Sequence, residues 1–421
     1  MKMNSLRLIL LILVGLMFFG CSSSTVTSKI ESIDFVKSWA SPYWGYNAPK
    51  IVRNAQGELW TVSFMGKYGE EKAQILKRDI SGQWQKGRMF DHLYQPSMLF
   101  LDNEGRLNYI QNSQHDSIMH FRSMDKENLN NFQLIAKGNG VNDGRGWYTG
   151  VGIHDSTMYL SYVTLQYDLF LTWKLVTDST WHKAVLIAAG LVDTLTGNHS
   201  WLYPRFNFQN NKGYITVSST VDGSKNNTYD KIRLATFSLS DPTEFTTEIV
   251  FDGTVGYSSY SYDAIITLND KFVCGYNAGK YKYGEKKKEA ISEGIYVSVK
   301  DINGTQWNQY QVDDHSGSVW LYEGPNGAIY ALVVRGSWDM ETNFLIKLSL
   351  DNGKTWKVID NDVMKEHPEY KHTFFGQIVH PHSGSPGRKG IDGVITNNNE
   401  IKPIDGTYSF EMLYFHMDIP E

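Results

Sequence analysis

Two histidines at the ends of a predicted hairpin are the first candidates for acid–base chemistry. His92 lies in residues 91–97 (DHLYQPS), and His115 follows the second strand in residues 112–116 (NSQHD). Because a hairpin returns the chain to the side on which it began, we expect both imidazoles to face one pocket. Histidine can give or take a proton near neutral pH. The alternative is that either residue is a hydrogen-bonding group on the surface.

A tyrosine and an arginine separated by one residue form the second candidate. Tyr203 and Arg205 lie in the strand-like residues 201–206 (WLYPRF). Side chains alternate across a strand, so both are expected to project to the same side. A guanidinium stabilises a neighbouring phenolate, which makes the tyrosine a better base, and it can also bind a carboxylate through two hydrogen bonds. The alternative is a strand-end tyrosine beside an arginine in a salt bridge.

A glycine-rich segment supplies candidates for substrate binding. Residues 144–150 (GRGWYTG) carry Arg145, Trp147 and Tyr148. Aromatic rings can stack on sugar faces, and a guanidinium can bind a carboxylate or sulfate. Arg335, which follows an apolar strand, is a further candidate for binding an anion.

Metal and cofactor chemistry has little support in the sequence. His380 and His382 could supply two ligands from one strand face, but no partner ligand is identifiable. We therefore predict no catalytic metal and no cofactor, and the sequence leaves open only a structural metal at these two histidines.

Repeated turns predict the scaffold that must position these side chains. Glycine-, asparagine- or aspartate-containing turns precede strands rich in Tyr, Val and Leu, and they recur roughly 48 to 58 residues apart, which suits four-stranded propeller blades. We predict an all-β fold, a single seven-bladed β-propeller of four-stranded blades over residues 46–421. The predicted blades begin near Pro49, Pro96, Thr149, Pro204, Asp263, Ser318 and Phe375.

A second repeated pattern supports this fold. Residues 349–356 (SLDNGKTW) match the Asp-box of sialidase-like propellers, and residues 79–84 and 301–307 are weaker copies. The aspartate of such a box is expected to close its own turn by accepting backbone N–H bonds, and the tryptophan to pack between sheets. The pattern therefore indicates architecture and assigns no catalysis.

The composition excludes one class of partner. The chain has 421 residues, with 40 Lys and Arg against 45 Asp and Glu, and a formal net charge of -5. General nucleic-acid binding requires a basic excess, which is absent here. Aromatic residues make up 14% of the chain, which fits both strand cores and carbohydrate binding. We expect a monomer that binds no nucleic acid.

The N-terminus predicts secretion and lipid attachment. Lys2 and Arg7 precede the apolar residues 8–19, a stretch too short to span a bilayer comfortably. Phe19-Gly20-Cys21 at its end resembles a bacterial lipobox, and the alternative is a generic signal with an incidental cysteine. We predict a signal peptide over residues 1–20, a lipid on Cys21, and a tether with a ring-closing strand over residues 21–45.

The predicted signal peptide and lipid attachment determine the expected localisation and the number of free thiols. The mature protein would be lipid-anchored to a bacterial membrane, at the outer membrane, the cell surface or in the periplasm. Only Cys274 then remains as a free thiol candidate. It lies in an apolar run, so we expect a buried structural thiol and no internal disulfide.

Residues 95–98 (QPSM), 102–107 (DNEGRL), His115 and residues 203–206 (YPRF) resemble the seven-bladed propeller proteins with BNR-type repeats that include ulvan lyases. This resemblance implies a carbon–oxygen lyase that acts by β-elimination at a uronic acid of an anionic algal-type polysaccharide or oligosaccharide. By position, His115 is similar to the second histidine of that family, and His92, or less closely Gln95, to the first. Tyr203 is similar to its tyrosine.

The family's arginine has no direct counterpart. It occurs at the end of the next strand, where this chain has residues 217–220 (VSST), so Arg205 or Arg145 is the candidate replacement. The departure suggests an altered reaction or substrate length, such as elimination of water from the non-reducing end of an oligosaccharide. Under this hypothesis Tyr203 and His115 transfer the protons, and Arg205 binds the carboxylate with help from His92.

Two other classes of function remain open. A sialidase-like glycoside hydrolase needs three arginines, a Tyr–Glu pair and an acidic catalyst, which the sequence does not supply as a recognisable set. A rhamnosidase-like hydrolase relies on an early-blade histidine, and no histidine precedes His92. The non-enzymatic alternative is a surface lipoprotein that binds glycans without chemistry.

Overall fold

The computed structural model describes most of the chain after the N-terminal segment. The described residues are 27–45, 47–113, 118–126, 128–140, 147–164, 166–190, 201–219, 231–253, 257–280, 291–336, 342–385, 390–398 and 403–419. Among them, no helix has the length and apolar character that crossing a membrane requires.

Twenty-eight strands, β1 to β28, form seven antiparallel sheets of four strands each within the described residues. The sheets are the blades of a seven-bladed propeller, which confirms the predicted fold class. Blades one to three contain β2 to β13: Ile51–Arg53, Leu59–Met65, Lys72–Arg78, Trp84–Asp91; Leu93–Leu101, Leu107–Ser113, Ile118–Ser123, Phe132–Lys137; Trp147–His154, Thr157–Val163, Leu169–Leu175, Val185–Ala188. Blades four to six contain β14 to β25: Trp201–Gln209, Lys212–Ser219, Lys231–Ser238, Phe245–Asp252; Tyr257–Ile266, Lys271–Lys280, Ile291–Asp301, Asn308–Asp313; Gly317–Glu323, Ile329–Arg335, Asn343–Ser349, Lys357–Asp360.

Blade seven closes the ring with strands from both ends of the described chain. It contains Thr373–Ile378, Gly390–Asn398 and Tyr408–Asp418 (β26 to β28), and β1, Ser28–Ser38, pairs with β28 as its outermost strand. The Trp39 amide donates to Gly66 O at 3.0 Å, which joins the end of β1 to blade one. Closure in this way packs a face of the last blade against a face of the first, in a shared apolar cluster that includes Leu59, Leu76 and Met412.

Burial differs between the inner and the outermost strands of a blade. Every residue of β7 is buried, because both faces of an inner strand pack against neighbouring blades. By contrast, only Phe90 is buried in the outermost strand β5. All seven predicted blade starts fall within or directly before the innermost strands.

The innermost strands run in the same direction along the central channel and so define two faces. We call the side where they begin the upper face, marked by Leu93, Trp201 and Thr373. The lower face is the side where they end, marked by His154 and Glu323.

Two of the three predicted Asp-box turns are built as expected, whereas the carboxylate of Asp301 in the third pairs with Lys271. Asp351 Oδ1 accepts the backbone N–H groups of Lys354 and Thr355 at 3.1 and 2.9 Å. Asp79 Oδ1 does the same for Ser81 and Gln83, both at 2.9 Å. These carboxylates therefore stabilise turns.

A short 3-10 helix, Pro381–Ser383, lies at the lower end of the channel. Gly384, which ends it, has a φ of +76°, and a Cβ there would lie 1.9 Å from Leu101 O. Only glycine fits this left-handed position against the backbone of blade two.

A buried ion cluster in the channel joins four blades. Asp263, from β18, lies 2.7 Å from Arg205 Nη1 and 3.2 Å from His380 Nε2. Its other contacts include the amide of Leu321 in blade six, which donates to Oδ2 at 2.8 Å. Arg205 Nη2 also donates to Gln377 Oε1 in blade seven at 3.4 Å. The side chains of Arg205 and Asp263 are 2% and 0% exposed, so these contacts are made away from water.

The charge of Asp263 depends on its partners. Burial raises the pKa of this carboxyl, but the positive charge of Arg205 and the contact with His380 lower it by a larger amount. The net result is a pKa below the ordinary value. An unpaired charge at this depth would be strongly destabilising, because little water remains to solvate it.

We expect Asp263→Asn to lower the free energy of unfolding by about 3–5 kcal/mol, since the Arg205 guanidinium would stay buried without a counter-charge. The measurement is chemical denaturation at neutral pH. Because the pKa of Asp263 is lower in the folded than in the unfolded chain, its charge stabilises the fold above about pH 4. This stabilisation is lost as the pH falls through the folded-state pKa, and the variant should lose that part of the acid sensitivity.

Asp252→Asn is the matched control. Asp252 lies 3.7 Å from Lys231 and its side chain is 48% exposed, so its loss should cost less than about 1 kcal/mol. Equal effects of the two substitutions would contradict the structural importance of the ion cluster.

Candidate functional site

Tyrosines from three consecutive blades meet at the upper mouth of the channel. The ring of Tyr148 (blade three) lies edge-on to Tyr203 (blade four), with centroids 4.6 Å apart. Tyr203 in turn lies 6.3 Å from Tyr260 of blade five. Tyr148 and Tyr260 are partly exposed and Tyr203 is 8% exposed. The three rings form a continuous aromatic surface, which we call the tyrosine surface.

Strained backbone places its first two tyrosines and also His92. Tyr148, Tyr203 and His92 have φ values of +44°, +61° and +61°, a region that residues with side chains rarely occupy. Each lies at the start of the innermost strand of its blade, next to a β-bulge in the pairing with the second strand. Such conformations cost about 1–3 kcal/mol each and cluster at functional sites. Three sequence-predicted candidates therefore share one unusual local geometry.

Asn47 holds the bulges of blades three and four together. Its Nδ2 donates to Thr149 O at 2.9 Å and to Pro204 O at 3.1 Å, and the side chain is buried. Asn112 supports the same place by donating to Thr149 Oγ1 at 2.7 Å. Gly150 is required beside them, because a Cβ there would lie 2.1 Å from Pro204 O. These contacts fix the backbone immediately after Tyr148 and Tyr203.

Further aromatic and cationic groups extend the tyrosine surface. Tyr262 lies 6.3 Å from Tyr260 and 5.8 Å from Trp320. In blade four, the guanidinium of Arg233 lies over the ring of Trp201, 4.8 Å from its centroid. The sequence reasoning missed Tyr260, Tyr262 and Arg233.

A signal for one of these residues was present in the sequence. Tyr148, Tyr203 and Tyr262 each stand directly before a predicted blade start, at Thr149, Pro204 and Asp263. Alignment of the blade starts would have identified Tyr262. Arg233 lies on the third strand of its blade, where no such alignment applies.

The expectation for Arg205 needs revision. Alternation predicted that Tyr203 and Arg205 project to the same side, but the pairing register shifts between Leu202 and Arg205, which breaks the alternation. Arg205 is fully buried against Asp263 in the channel, whereas the ring of Tyr203 contacts other tyrosines. The guanidinium therefore stabilises the fold and is not available to a substrate carboxylate.

Other predicted site residues fall in different places. His92 is exposed at the upper face in blade two. His115 and Arg145 lie outside the described residues, as does Cys21, and of Trp147 only the backbone, at the start of β10, is described. Their predicted roles stay predictions.

Arg335 already has a carboxylate partner. Its guanidinium donates to both oxygens of Asp313, at 2.9 and 2.8 Å, and Lys347 Nζ lies 2.7 Å from Oδ2. Burial raises the pKa of Asp313, but hydrogen bonds from Arg335 and Lys347 lower it to about 2. Asp313, Asp314 and His315 also place one ligand atom each within 4.8 Å of one another. The two cations on Asp313 oppose the binding of a metal ion there.

His380 and His382 are buried and stacked, with ring centroids 5.1 Å apart. His380 Nε2 lies 3.2 Å from both Asp263 and Arg205, so a metal at this nitrogen would have to displace the ion cluster. Cys274 is buried and free, and burial raises the pKa of its thiol to about 12. This agrees with the prediction of a structural thiol.

A cavity of about 430 Å³ lies at the lower face, opposite the tyrosine surface. Two of its ionisable groups are already engaged: Glu323 accepts the Leu268 N–H with both oxygens, and His380 belongs to the ion cluster. His154 and His382 also line the cavity, and the ring of His382 stacks on His380. The candidate site is therefore the upper face, where strained and partly exposed groups converge.

Comparison with known proteins supports the architecture. No protein-family model matches the chain, and no curated protein matches it in sequence. Among solved structures, it is similar to an ulvan lyase of polysaccharide lyase family PL25, with a TM-score of 0.68, 12% identity, and coverage of 90% of this chain and 95% of that chain.

Two further structures resemble it. A PL25 ulvan lyase bound to GlcA(1-4)Rha3S has a TM-score of 0.66 at 11% identity, covering 90% of this chain and 95% of that one. Polysaccharide lyase Uly1 has a TM-score of 0.55 at 9% identity, covering 88% and 89%. The resemblance to ulvan-lyase propellers is thus confirmed at the level of the fold.

We expect Asn47→Ala to destabilise the protein by about 1–3 kcal/mol, because the carbonyls of Thr149 and Pro204 would lose a buried donor. The near-ultraviolet circular dichroism of the tyrosines should change as well, since the bulges that carry Tyr148 and Tyr203 would relax. Asn103→Ala, which removes an exposed bond to Ser156, is the control and should leave both signals unchanged. An unaltered spectrum and unfolding midpoint for Asn47→Ala would contradict the positioning role.

Proposed function

We propose that this protein is a carbon–oxygen lyase that performs β-elimination at a uronic acid of an anionic, ulvan-type polysaccharide or oligosaccharide at the upper face. The observation that carries the proposal is the shared left-handed backbone of His92, Tyr148 and Tyr203 on consecutive blades. Strain maintained at three candidate residues is typical of a site whose groups must be held in place for chemistry. The similarity of the fold to ulvan lyases agrees with the proposal.

The difficulty of the reaction explains which groups it needs. The C5 proton of a uronate is weakly acidic, because its removal places further negative charge next to a carboxylate. A cation or hydrogen-bond donor on that carboxylate stabilises the enolate-like state. A base takes the C5 proton, a C4=C5 double bond forms, and the C4–O bond breaks with its electron pair on the oxygen. An acid then protonates the leaving oxygen.

Tyr203 is the proposed base, and an imidazole is the proposed proton donor. Tyr203 lies in the tyrosine surface with Tyr148, whose ring also offers a face for stacking a sugar. His92 is exposed directly before the innermost strand of blade two, next to blade three, which carries Tyr148. His115 keeps the proton-transfer role that the resemblance implies for it.

Arg233 replaces Arg205 as the proposed group for the carboxylate. It lies opposite Val217 in the β15–β16 pair. Val217 begins residues 217–220, the segment that corresponds by resemblance to the position of the arginine in ulvan lyases. It also lies over Trp201, two residues before Tyr203. A guanidinium at this position can bind a carboxylate through two hydrogen bonds. Arg145 is the remaining alternative.

Chain cleavage and terminal dehydration share the same enolate chemistry and differ in the leaving group, which is a sugar in the first reaction and water in the second. Mass spectrometry of products from defined ulvan oligosaccharides distinguishes them. Two shorter fragments indicate a chain-cleaving lyase, whereas loss of one water without shortening indicates a dehydratase acting on the non-reducing end. Saturated fragments would instead indicate a glycoside hydrolase.

Non-catalytic glycan binding is the second candidate function. The continuous tyrosine surface favours it, because stacked rings alone can hold a sugar chain without any proton transfer. A binding protein would retain its affinity for the glycan and release no product.

We expect Tyr203→Phe to lower the rate of unsaturated-product formation by about 10²–10⁴-fold, because the phenolic oxygen, which as the phenolate takes the C5 proton, is removed while the ring remains. Affinity for ulvan oligosaccharides, measured by calorimetry, should change by no more than about threefold. The assay follows the ultraviolet absorbance of the unsaturated uronate.

Tyr68→Phe is the matched control, because Tyr68 is 73% exposed on blade one and has no place in the site. Its activity should equal that of the unaltered protein. Full activity in Tyr203→Phe would contradict the assignment of the base. Tight oligosaccharide binding without product in the unaltered protein would favour the second candidate function.

We propose further that a lipid on Cys21 orients the molecule. Ser28, at the start of β1, pairs with Met417 at the lower-face edge of blade seven. Ser28 is the seventh residue after Cys21, and a chain of seven residues reaches at most about 25 Å. A membrane anchor at Cys21 would therefore lie nearer the lower face, and the tyrosine surface would face away from the bilayer.

We expect Cys21→Ser to move the protein from the membrane fraction to the soluble fraction of a lipoprotein-processing bacterium, because the acylated thiol would be lost. Metabolic labelling with a fatty-acid analogue should mark the unaltered chain and not the variant. Cys274→Ser is the control and should leave both fractionation and labelling unchanged. Membrane association of Cys21→Ser would contradict the lipid anchor.

A further inference from the structure

An aromatic pocket lies at the seam between blades seven and one. Its volume is about 260 Å³, and its walls include the rings of Trp39, Trp44, Phe374, Tyr408 and Phe410. All but Phe410 are partly exposed. None of these residues belongs to the tyrosine surface.

The walls of this seam pocket are held in position by contacts outside it. Trp39 Nε1 donates to Glu71 Oε1 at 3.0 Å. The rings of Trp39 and Trp44 lie edge-on with centroids 5.3 Å apart, and Trp44 lies 6.0 Å from Phe64. Rings fixed in this way lose little conformational entropy when a ligand stacks on them.

The seam pocket opens on the same side of the ring as the tyrosine surface. His372 and Phe374 lie at the start of β26, the innermost strand of blade seven, which begins at the upper face. Tyr408 begins β28, and Ser38 at the end of β1 pairs with it. A glycan lying across the channel mouth from blade four would therefore approach this seam.

The chemistry of the lining limits what it can bind. The part of the lining that the structure describes contains no carboxylate, guanidinium or ammonium group, and its ionisable side chains are the imidazole of His372 and the phenol of Tyr408. The lining is therefore mainly aromatic, which favours a neutral sugar over a uronate. Hydroxyl and amide groups are present beside the rings: Ser41 Oγ and Thr396 Oγ1 lie 3.3 Å apart, and Asn398 lies next to them. The volume is below the range of about 300–1,000 Å³ typical of drug-sized ligands. One pyranose ring with an apolar face fits these constraints.

We propose that the seam pocket is a second sugar subsite that binds a 6-deoxyhexose unit of the same glycan. The methyl group and ring C–H bonds of such a sugar would face the aromatic walls, and its polar substituents would face Ser41, Thr396 and solvent. This inference rests on the proposed function for the identity of the glycan. It places a uronate at the tyrosine surface and a deoxysugar at the seam.

Isothermal titration of the full chain tests the proposal with three probes: methyl α-L-rhamnoside, D-glucuronate and a defined ulvan oligosaccharide. In Trp44→Ala, affinity for the oligosaccharide should fall about tenfold and binding of the rhamnoside should be lost, because a stacking wall is removed. Tyr408→Leu, on the opposite wall, provides a second variant in case Trp44→Ala does not fold. Phe35→Ala is the control, since Phe35 is 65% exposed and does not line the seam pocket.

The outcomes separate this inference from the proposed reaction. Loss of affinity in Trp44→Ala or Tyr408→Leu, with folding verified by thermal unfolding, supports the subsite even if the unaltered protein forms no unsaturated product. Unchanged affinity in a folded variant overturns it, whatever the activity. Equal competition by glucuronate and rhamnoside for the seam pocket also overturns it, because a deoxysugar subsite should exclude the carboxylate.

Discussion

The carboxylate of Asp263 is the interaction on which the rest of the molecule depends. It lies in the channel with Arg205 and His380 and also accepts the Leu321 amide, so that groups from blades four, five and six and from the end of blade seven's inner strand share one anion. Apolar packing between blades favours any close approach of two sheets, but it does not specify a position along the channel. A buried ion pair is stable only in a narrow geometry, and therefore it can fix how the inner strands align.

That alignment brings the bulged beginnings of the inner strands together at the upper face. Asn47 reaches from blade one to the carbonyls of Thr149 and Pro204, and these follow directly after Tyr148 and Tyr203. The rigid contacts in the channel and the strained backbone at the upper face depend on each other. Tyr148 and Tyr203 keep a left-handed backbone conformation only because the surrounding contacts hold it in place. The positions of the tyrosine rings therefore depend on the polar contacts in the channel as well as on the local sequence.

The two faces of the ring have separate tasks in our proposals. The lower face contains the 3-10 helix Pro381–Ser383 and the edge from which the N-terminal segment leaves. The upper face contains the tyrosine surface and, at the ring closure, the seam pocket. A propeller suits this division, since each blade contributes one strand start to the same mouth, and a long sugar chain can contact several blades at once.

The sequence by itself determined the all-β propeller, its blade starts and two of its Asp-box turns, because these follow from local rules: alternation, glycine in turns, and an aspartate that bonds its own backbone. It also selected His92, Tyr148 and Tyr203 as candidates. Only the tertiary structure decided that Arg205 pairs with Asp263, 58 residues away, and that Arg233 lies over Trp201. A β-bulge reverses the side to which a strand residue points, and the partner of a buried charge comes from another blade; neither is encoded in local spacing.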